Sequence, residues 1–389
     1  MLDRCGSSAG VRRVLMTADT VGGVWTYALE LTRALEPHGV EVTLATMGAL
    51  LTPGQWEEAR ALPNLRVEPS TFQLEWMDDP WADVRVAGEW LLGLEARIRP
   101  DVVHLNGYCH GALPWSRPAL MVGHSCVLSW WRAVKREEAP ERYSRYREEV
   151  ARGLRAAGRV VAPTRTMLEA LREHYGPLPE AEVVFNARRP EDFPPDFERE
   201  PIILTAGRLW DEAKNVFALE SVAPRLGWPV KVAGETRHPS LGGCLQPRNV
   251  EPLGWLSPRE LAGWMGRAAI YALPARYEPF GLSVLEAALA GCALVLGDIP
   301  SLREVWGDDA AIFVPPSDVE ALADALEFLR REPERRARLA ACARLRALEY
   351  SPARMSASYL AAYASLVQAR PTHPVRHHES RPLLSFPVV

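Results

Sequence analysis

Two pairs of charged side chains in the second half of the sequence stand at spacings that suit chemistry on a phosphorylated ligand. Arg208 and Lys214 lie six positions apart, just after the apolar run PIILTA at 201–206. Glu278 and Glu286 flank Phe280, Gly281, Leu282 and Ser283 within 271–291, YALPARYEPFGLSVLEAALAG. That stretch reads as a short strand, a loop holding Glu278, and a helix opening near Leu282 or Ser283, with Gly291 where a C′ glycine ends a helix. The first turn of such a helix offers unpaired N–H groups at the positive end of the dipole, a ready anion site. Gly281 lets a ligand approach the main chain there. Arginine grips a phosphate with two N–H groups, and lysine acts as a mobile point charge. Both at a strand end, opposite a helix N-terminus, make a phosphate clamp. Carboxylates on either side of the anion site suit a ligand with a phosphate in the middle and hydroxyls at both ends, such as a sugar nucleotide. The plain alternative is an ordinary strand–loop–helix with surface cations and two solvated glutamates.

The elements that must hold these groups read as α/β. Residues 11–18 form an apolar strand, the loop 19–24 (DTVGGV) follows, and an amphipathic helix covers 25–36 with Ala28, Leu29, Leu31 and Leu35 at helical spacings. With a strand at 40–45 the chain opens as a βαβ unit. Gly22 and Gly23 lie at the strand-to-helix turn, where open α/β sheets bind ligands. They are not a Gly-x-Gly-x-x-Gly run, which counts against a nicotinamide enzyme. Residues 48–80 read as loop-rich, followed by a helix at 82–98 and strands at 101–105 and 120–122. His104 falls in one strand, His124 just past the other, and His110 in the 107–111 loop. A histidine in such places is more often a hydrogen-bonded structural residue, and His124 is the best functional candidate. Strands at 160–161 and 183–185 enclose a helix at 164–174. The proline-rich, charged stretch after Asn186 is the linker candidate. Beyond it come strands at 201–206, 230–234 and 250–253, the last before Gly254 and Trp255. Ser257 and Glu260 form a capping box opening a helix. Strands at 294–296 and 311–314 and helices at 301–306, 317–331, 333–349 and 352–367 complete the chain.

The bulk properties narrow the class. At 389 residues the chain has room for two ordinary domains. A net charge of −4 gives no support to nucleic-acid binding. Six scattered cysteines without a Cys-x-x-Cys pair suggest a reduced, cytoplasmic protein with neither disulfides nor a zinc site. No apolar run approaches a membrane span, and no signal-peptide core opens the chain. Residues 130–165 carry ten positive and five negative charges, with Trp130 and Trp131 at the start. The segment could rest peripherally on an anionic membrane or an acidic acceptor, but interleaved signs fit a solvated helix with pairs such as Glu148–Arg152. The thirteen tryptophans are read mainly as core. The His377-His378 pair is read as chance.

Glu278, seven intervening residues and Glu286, with Phe-Gly-Leu between them, resemble the signature of the retaining glycosyltransferases of family 4. Gly207-Arg208-Leu209 with Lys214 matches a second motif of that family. The resemblance spans roughly 11–368. It implies the GT-B fold, an α/β architecture of two Rossmann-like, doubly wound domains facing each other across a cleft. Its implied layout is a flexible start at 1–10, an acceptor-side domain at 11–188, a linker at 189–200, a nucleotide-sugar domain at 201–350, a helix crossing back at 351–368, and a disordered tail at 369–389. It implies transfer of a sugar from a nucleotide-diphosphate sugar to a hydroxyl acceptor met by the variable loops between 48 and 140. Arg208, Lys214 and the amides at 281–283 would neutralise the leaving diphosphate. Glu286 would hold the ribose hydroxyls and Glu278 the sugar hydroxyls. His124 would orient the sugar, and Gly22 and Gly23 would approach the donor phosphates. Gly234, Gly254, Trp255, Phe280, Gly281, Leu282 and Ser283 complete the donor-side set, main chain after 253 meeting the base. The sequence has no Asp-x-Asp, so no metal and no cofactor is expected. A family-4 enzyme is thought to use the leaving phosphate as base, so no protein base is expected either. One departure stands out: the family's Pro-Asn-Gly is Phe185-Asn186-Ala187 here, which makes a left-handed hinge backbone less easy. A same-fold nucleotide-sugar epimerase, a phosphorylase with a lysine-bound pyridoxal phosphate, and a catalytically inactive sugar-nucleotide sensor stay open as alternatives.

Overall fold

A computed structural model describes residues 10–195, 198–236 and 247–369. The first lobe runs β1 (Arg13–Asp19), α1 (Gly23–Leu35), β2 (Glu41–Met47), α2 (Pro53–Arg60), β3 (Leu65–Pro69), α3 (Trp81–Ile98), β4 (Val102–Leu105), β5 (Ala119–Val122), α4 (Val127–Lys135), α5 (Ser144–Ala156), β6 (Arg159–Ala162), α6 (Arg165–Tyr175) and β7 (Ala181–Val183). Its sheet has the order β3-β2-β1-β4-β5-β6-β7. The second lobe runs β8 (Glu200–Ala206), α7 (Val216–Val222), β9 (Val230–Ala233), β10 (Glu251–Gly254), α8 (Pro258–Arg267), β11 (Ala268–Leu273), α9 (Leu282–Leu289), β12 (Ala293–Gly297), α10 (Pro300–Trp306), β13 (Ile312–Val314), α11 (Val319–Arg331) and α12 (Pro333–Ala347). Its order is β10-β9-β8-β11-β12-β13.

Pairings such as β1 with β4 and β8 with β11 are parallel, as expected of strands that are apolar on both faces. In each sheet the chain starts near the middle, builds one edge, then returns to build the other. The strand order therefore reverses between β1 and β4 in one sheet and between β8 and β11 in the other. Crevices open at the carboxyl ends of the strands at such reversals, which is where ligands bind in this class of sheet. This is the two-domain Rossmann-like GT-B architecture that the motifs implied.

α13 (Pro352–Gln368) packs on the first lobe, with Met355, Tyr359, Tyr363 and Leu366 buried against Val14, Met16, Tyr27 and Leu31. The lobes also meet directly. Thr164 Oγ1 donates to the Pro279 carbonyl at 3.0 Å. Glu304, on α10, accepts from the N–H groups of Arg165 (2.6 Å) and Thr166 (2.9 Å), capping α6 from the opposite lobe. The Cys126 N–H donates to the Tyr277 hydroxyl at 3.2 Å. These bonds hold the lobes together.

Three expectations change. The stretch 48–80 is loop-rich as read but also holds two elements that were not anticipated: Thr52 and Gln55 make a reciprocal capping box that opens α2, and β3 is an edge strand. The Thr-x-x-Gln signal was present in the sequence. Ala187 is not in the left-handed region, so the missing glycine costs nothing there. Near the end of the basic segment Arg152 pairs with Glu149, not Glu148. The expectations for 1–10 and 369–389, including His377-His378, fall outside the described residues except at Gly10 and Ala369, as do those for Cys5 and Cys244.

Candidate functional site

The second lobe contributes the cations. Arg208 and Lys214 follow β8, on either side of a turn that Asp211 organises by accepting from the Ala213 N–H at 3.0 Å. Lys214 is followed by Asn215 at φ 55, whose side-chain amide donates to the carbonyls of Pro274 (2.9 Å) and Pro316 (2.8 Å). The Arg276 N–H donates to the Ala213 carbonyl at 2.8 Å. The loop after β8 is thus bonded to the loop after β11, bringing Lys214 and Glu278 together across 64 residues of sequence.

Lys214 Nζ is hydrogen-bonded to Glu278 Oε2, and Glu278 Oε1 accepts from the Gly281 N–H at 3.1 Å. Gly281 has φ +90, a conformation that favours glycine, and it starts α9. The first turn of α9 therefore already has an anion, the chain's own Glu278. Val284, Leu285, Ala287 and Ala288 are fully buried and anchor this helix in the second core. Each large side chain buried this way contributes on the order of 1.5–3 kcal/mol. Gly291 has φ +85 at the far end, as its C′ position requires.

Arg208 Nη2 pairs with Asp211 Oδ2 at 3.0 Å, and Asp211 Oδ1 accepts the indole N–H of Trp130 from the first lobe at 3.0 Å. Burial works to raise the Asp211 carboxyl, but Arg208, Lys214 and its hydrogen bonds outweigh that and hold it below the usual range. Asp19, at the end of β1, accepts from the N–H groups of Val21 (3.1 Å) and Gly22 (3.0 Å). Burial pushes Asp19 up, with its backbone bonds and the nearby Arg208 opposing. Gly22 has φ −150, open to any residue, so its conformation does not require glycine. The turn lies in ordinary contact range of the second lobe, since a Cβ on Gly22 would lie 3.4 Å from Arg208 Nη1 and one on Gly23 3.5 Å from Leu282 Cδ1. The glycine turn of one lobe thus closes onto the clamp of the other.

His124 follows β5 and is partly buried. Its Nε2 lies 2.8 Å from Asn106 Oδ1, and its ring stands edge-on to Tyr27, with centroids 4.5 Å apart. Asn106 is fixed by donating its amide to the Thr17 carbonyl at 2.7 Å, so Oδ1 is an acceptor and His124 Nε2 must carry the proton. Burial holds the imidazole neutral, with its pKa down at about 3. A neutral imidazole of this tautomer has a bare Nδ1, able to accept a hydrogen bond and not to donate one. His104 is wholly buried among Tyr363, Asn106 and Tyr27 and is likewise pushed down to about 3. His110 bonds the Val84 carbonyl at 3.0 Å. These two are structural.

Other candidates are placed less simply. Glu286 lies on α9 with its carboxylate against Arg188, 2.9 Å from Nε, and is 8% exposed. Phe280 is buried against Phe185 and Tyr350, so only its main chain is available to a ligand. The Ser283 hydroxyl bonds Tyr271 at 2.8 Å. Gly234 has φ +138, and a Cβ there would lie 1.8 Å from the Gly207 carbonyl oxygen. Gly254 has φ +69 with open space around it, and Trp255 is 66% exposed. Asp19, Asn106, Asp211 and Arg188 were not anticipated. Asp19 could have been, since it ends a strand immediately before the glycine turn, whereas Arg188 sits in a stretch that reads as linker.

Several cations of the basic segment are taken up within the protein. Arg132 pairs with Glu138 and Glu173, Lys135 with Glu212 of the second lobe, Arg147 with Glu138, and Arg159 with Glu180 and Glu182. Arg142 lies over Trp131, and Arg145 over Trp81. Among the described residues no helix is long and apolar enough to cross a membrane, and no group of three or more His, Cys, Asp or Glu is arranged to hold a metal ion.

Comparison with known proteins agrees with this geometry. Residues 21–191 match a family model described as Glycosyltransferase Family 4, and residues 200–332 one described as Glycosyl transferases group 1. The chain is 29% identical over 322 residues to a glycogen synthase of Mycobacterium tuberculosis, covering 74% of this chain and 75% of that protein. It is 28% identical over 395 residues to a D-inositol 3-phosphate glycosyltransferase of Xylanimonas cellulosilytica, covering 90% and 93%. Among solved structures, a sucrose-phosphate synthase from Thermosynechococcus elongatus superposes with a TM-score of 0.77 at 18% identity, over 92% of this chain and 100% of that one. The Anabaena protein Alr3699/HepE, solved with UDP and glucose, superposes with a TM-score of 0.71 at 13% identity, over 91% and 100%. With both lobes matched and the two clefts' loops meeting at one place, the chain belongs to the family-4 glycosyltransferases and is a sugar-transferring enzyme of the GT-B fold.

Proposed function

We propose that this enzyme transfers a sugar from a nucleotide-diphosphate sugar to a hydroxyl acceptor, with retention of anomeric configuration and without a divalent ion. The observation that carries the reading is the seat of Glu278, whose carboxylate bridges Lys214 and the Gly281 N–H. That arrangement is a preorganised anion site, and a departing β-phosphate is the anion for which a transferase needs one. The phosphate would take the place of the Glu278 carboxylate between Lys214 and the amides at 281–283, with Arg208 on its other side. Glu278, displaced by a short rotation, would accept hydrogen bonds from the transferred sugar. His124, as a neutral acceptor at Nδ1, would receive a sugar hydroxyl and help set its orientation. The main chain at Gly254 and Trp255 would meet the base. The UDP and glucose bound by Alr3699/HepE support a nucleotide-sugar donor in this fold. Departure of the diphosphate leaves charge that the two cations and the helix N-terminus absorb, and a phosphate oxygen can take the acceptor proton on the same face.

The test is a thermal-shift screen of nucleotide sugars, since a ligand that binds the native state raises its stability. The stabilising donor is then offered with simple hydroxyl acceptors and the product's anomeric configuration read by NMR. Stabilisation by one donor and a retained configuration are expected. An inverted product, or no stabilisation by any nucleotide sugar, would overturn the proposal.

A further inference from the structure

Between the lobes lies a buried group of charges of which only Glu286 has an expected part in donor binding. Arg188 follows β7, Glu30 is on the buried face of α1, and Glu286 is on α9. Arg188 Nη1 donates to Glu30 Oε2 at 2.9 Å, and Arg188 Nε lies 2.9 Å from Glu286 Oε1. The Arg188 and Glu286 side chains are 10% and 11% exposed, and that of Glu30 is 1% exposed. The guanidinium carbon rests 5.1 Å from the centre of the Phe193 ring. Arg33 Nη1 lies 3.8 Å from Glu30 Oε2, and Arg189 lies 3.9 Å from Glu30 Oε1 while pairing with Asp192 at 2.8 Å. Among the described residues these are the charged groups that face the cluster from α1, from α9 and from the segment after β7, and the Tyr271 hydroxyl of β11 is the further titratable group near Glu286. Of the three arginines, Arg188 is the one that reaches Glu286.

A carboxylate this buried stays charged only with a cation beside it. Burial pushes Glu286 up, Arg188 draws it back down, and Glu30 and Asp192 push it up again. The state matters because an ionised carboxylate only accepts hydrogen bonds, and its two oxygens can receive both hydroxyls of a diol. The geometry adds a second constraint. A planar guanidinium can engage carboxylates along two of its edges at once, which a lysine cannot do. Arg188 donates to the Glu30 carboxylate of one lobe and is ion-paired with the Glu286 carboxylate of the other.

We propose that Arg188 is a positioning residue of the donor site: it holds Glu286 as a charged acceptor for the ribose diol and ties it to Glu30, so that donor affinity depends on the lobes being closed together. This rests on the reading that Glu286 receives the ribose. Arg188 touches no substrate in this scheme. It acts through Glu286, so its loss weakens binding of the nucleotide more than it slows transfer.

The experiment uses the full chain and calorimetric titration with uridine, adenosine and guanosine diphosphates. The one that binds is compared with its 2′,3′-dideoxy counterpart. In the wild type, removing the diol is expected to weaken binding ~10- to 100-fold, the range of one or two charge-assisted hydrogen bonds. Arg188→Met should weaken the ribonucleotide by a similar ~10- to 100-fold and close the gap to the dideoxy compound, with the donor KM rising more than kcat falls. Its affinity should recover as the pH is raised, because Glu286 is already held up by burial and without its cation ionises only at higher pH. Arg188→Lys should recover part of the affinity, since it restores the charge and not the guanidinium's contact with both carboxylates. If Arg188→Met folds poorly, Glu30→Gln combined with it removes one of the carboxylates left uncompensated, and the same gap is read. An undiminished gap and a wild-type pH dependence in both Met-containing variants would overturn the role of Arg188 while leaving the ribose reading intact. No gap in the wild type, with Glu286→Gln binding normally, would instead remove the ribose reading on which the proposal rests.

Discussion

Lys214→Ala is the substitution that bears most directly on the charge-neutralising mechanism. Lys214 and Glu278 have side chains only 16% and 12% exposed, so bulk water screens the lysine poorly. A unit charge about 4 Å from a phosphate oxygen, at an effective dielectric of ~20, corresponds to roughly 4 kcal/mol. Mutational losses of one preorganised donor are about 10²- to 10³-fold in kcat, or ~2.7–4 kcal/mol, which agrees with that figure. The substitution also leaves Glu278 without its cation, although the Gly281 N–H remains. That costs ~1–3 kcal/mol of stability, so the unfolding midpoint must be read on the same samples. The assay is initial transfer rate at saturating donor and acceptor, for wild type, Lys214→Ala and Lys214→Arg. The expected outcome is a fall of ~10²–10³ in kcat for the alanine variant, partial recovery with arginine, and no rescue by magnesium. An alanine variant that is folded and within about threefold of the wild-type kcat would refute the reasoning, as would restoration by magnesium.

Other outcomes follow from the same geometry. A chelator should leave the wild-type rate unchanged, and abolition of transfer would show that a divalent ion shares the neutralising role. Gly234→Ala places a Cβ 1.8 Å from the Gly207 carbonyl oxygen at φ +138, so the unfolding midpoint should fall by the equivalent of ~2–4 kcal/mol. Gly254→Ala, at φ +69 with open space around it, should cost only ~1–2 kcal/mol, and an equal loss at both positions would refute the packing argument. His104 has a folded-state pKa of about 3 against an ordinary value of 6.5, so the unfolded chain binds its proton first as pH falls. Its contribution is complete above about pH 6.5 and declines between there and about pH 3, by on the order of 1 kcal/mol per pH unit. His104→Gln should therefore flatten the decline of the urea midpoint between pH 7 and pH 5, and an unchanged slope would refute the assignment.

Much of the frame around the candidate site was legible in the sequence because it is built locally. The strand, loop and helix of 271–291 depend on apolar runs, one glycine at the helix start and one at its end, and all appear in place. The place of Arg208 and Lys214 in the fold was legible for the same reason, since both follow directly from the end of β8. The βαβ alternation likewise determined that ligand loops would gather at the strand ends, because parallel strands joined by helices admit little else. Pairings between distant positions were beyond it. Glu286 meets Arg188, 98 positions away, only because α9 and the segment after β7 pack side by side. His124 acquires its tautomer from Asn106 on a different strand end, and Glu278 occupies the anion site because the loop after β8 is bonded to the loop after β11. Local pattern determines which elements form, but side-chain charge state and partner are set by burial and by which elements end up adjacent, and those are properties of the packed lobes alone.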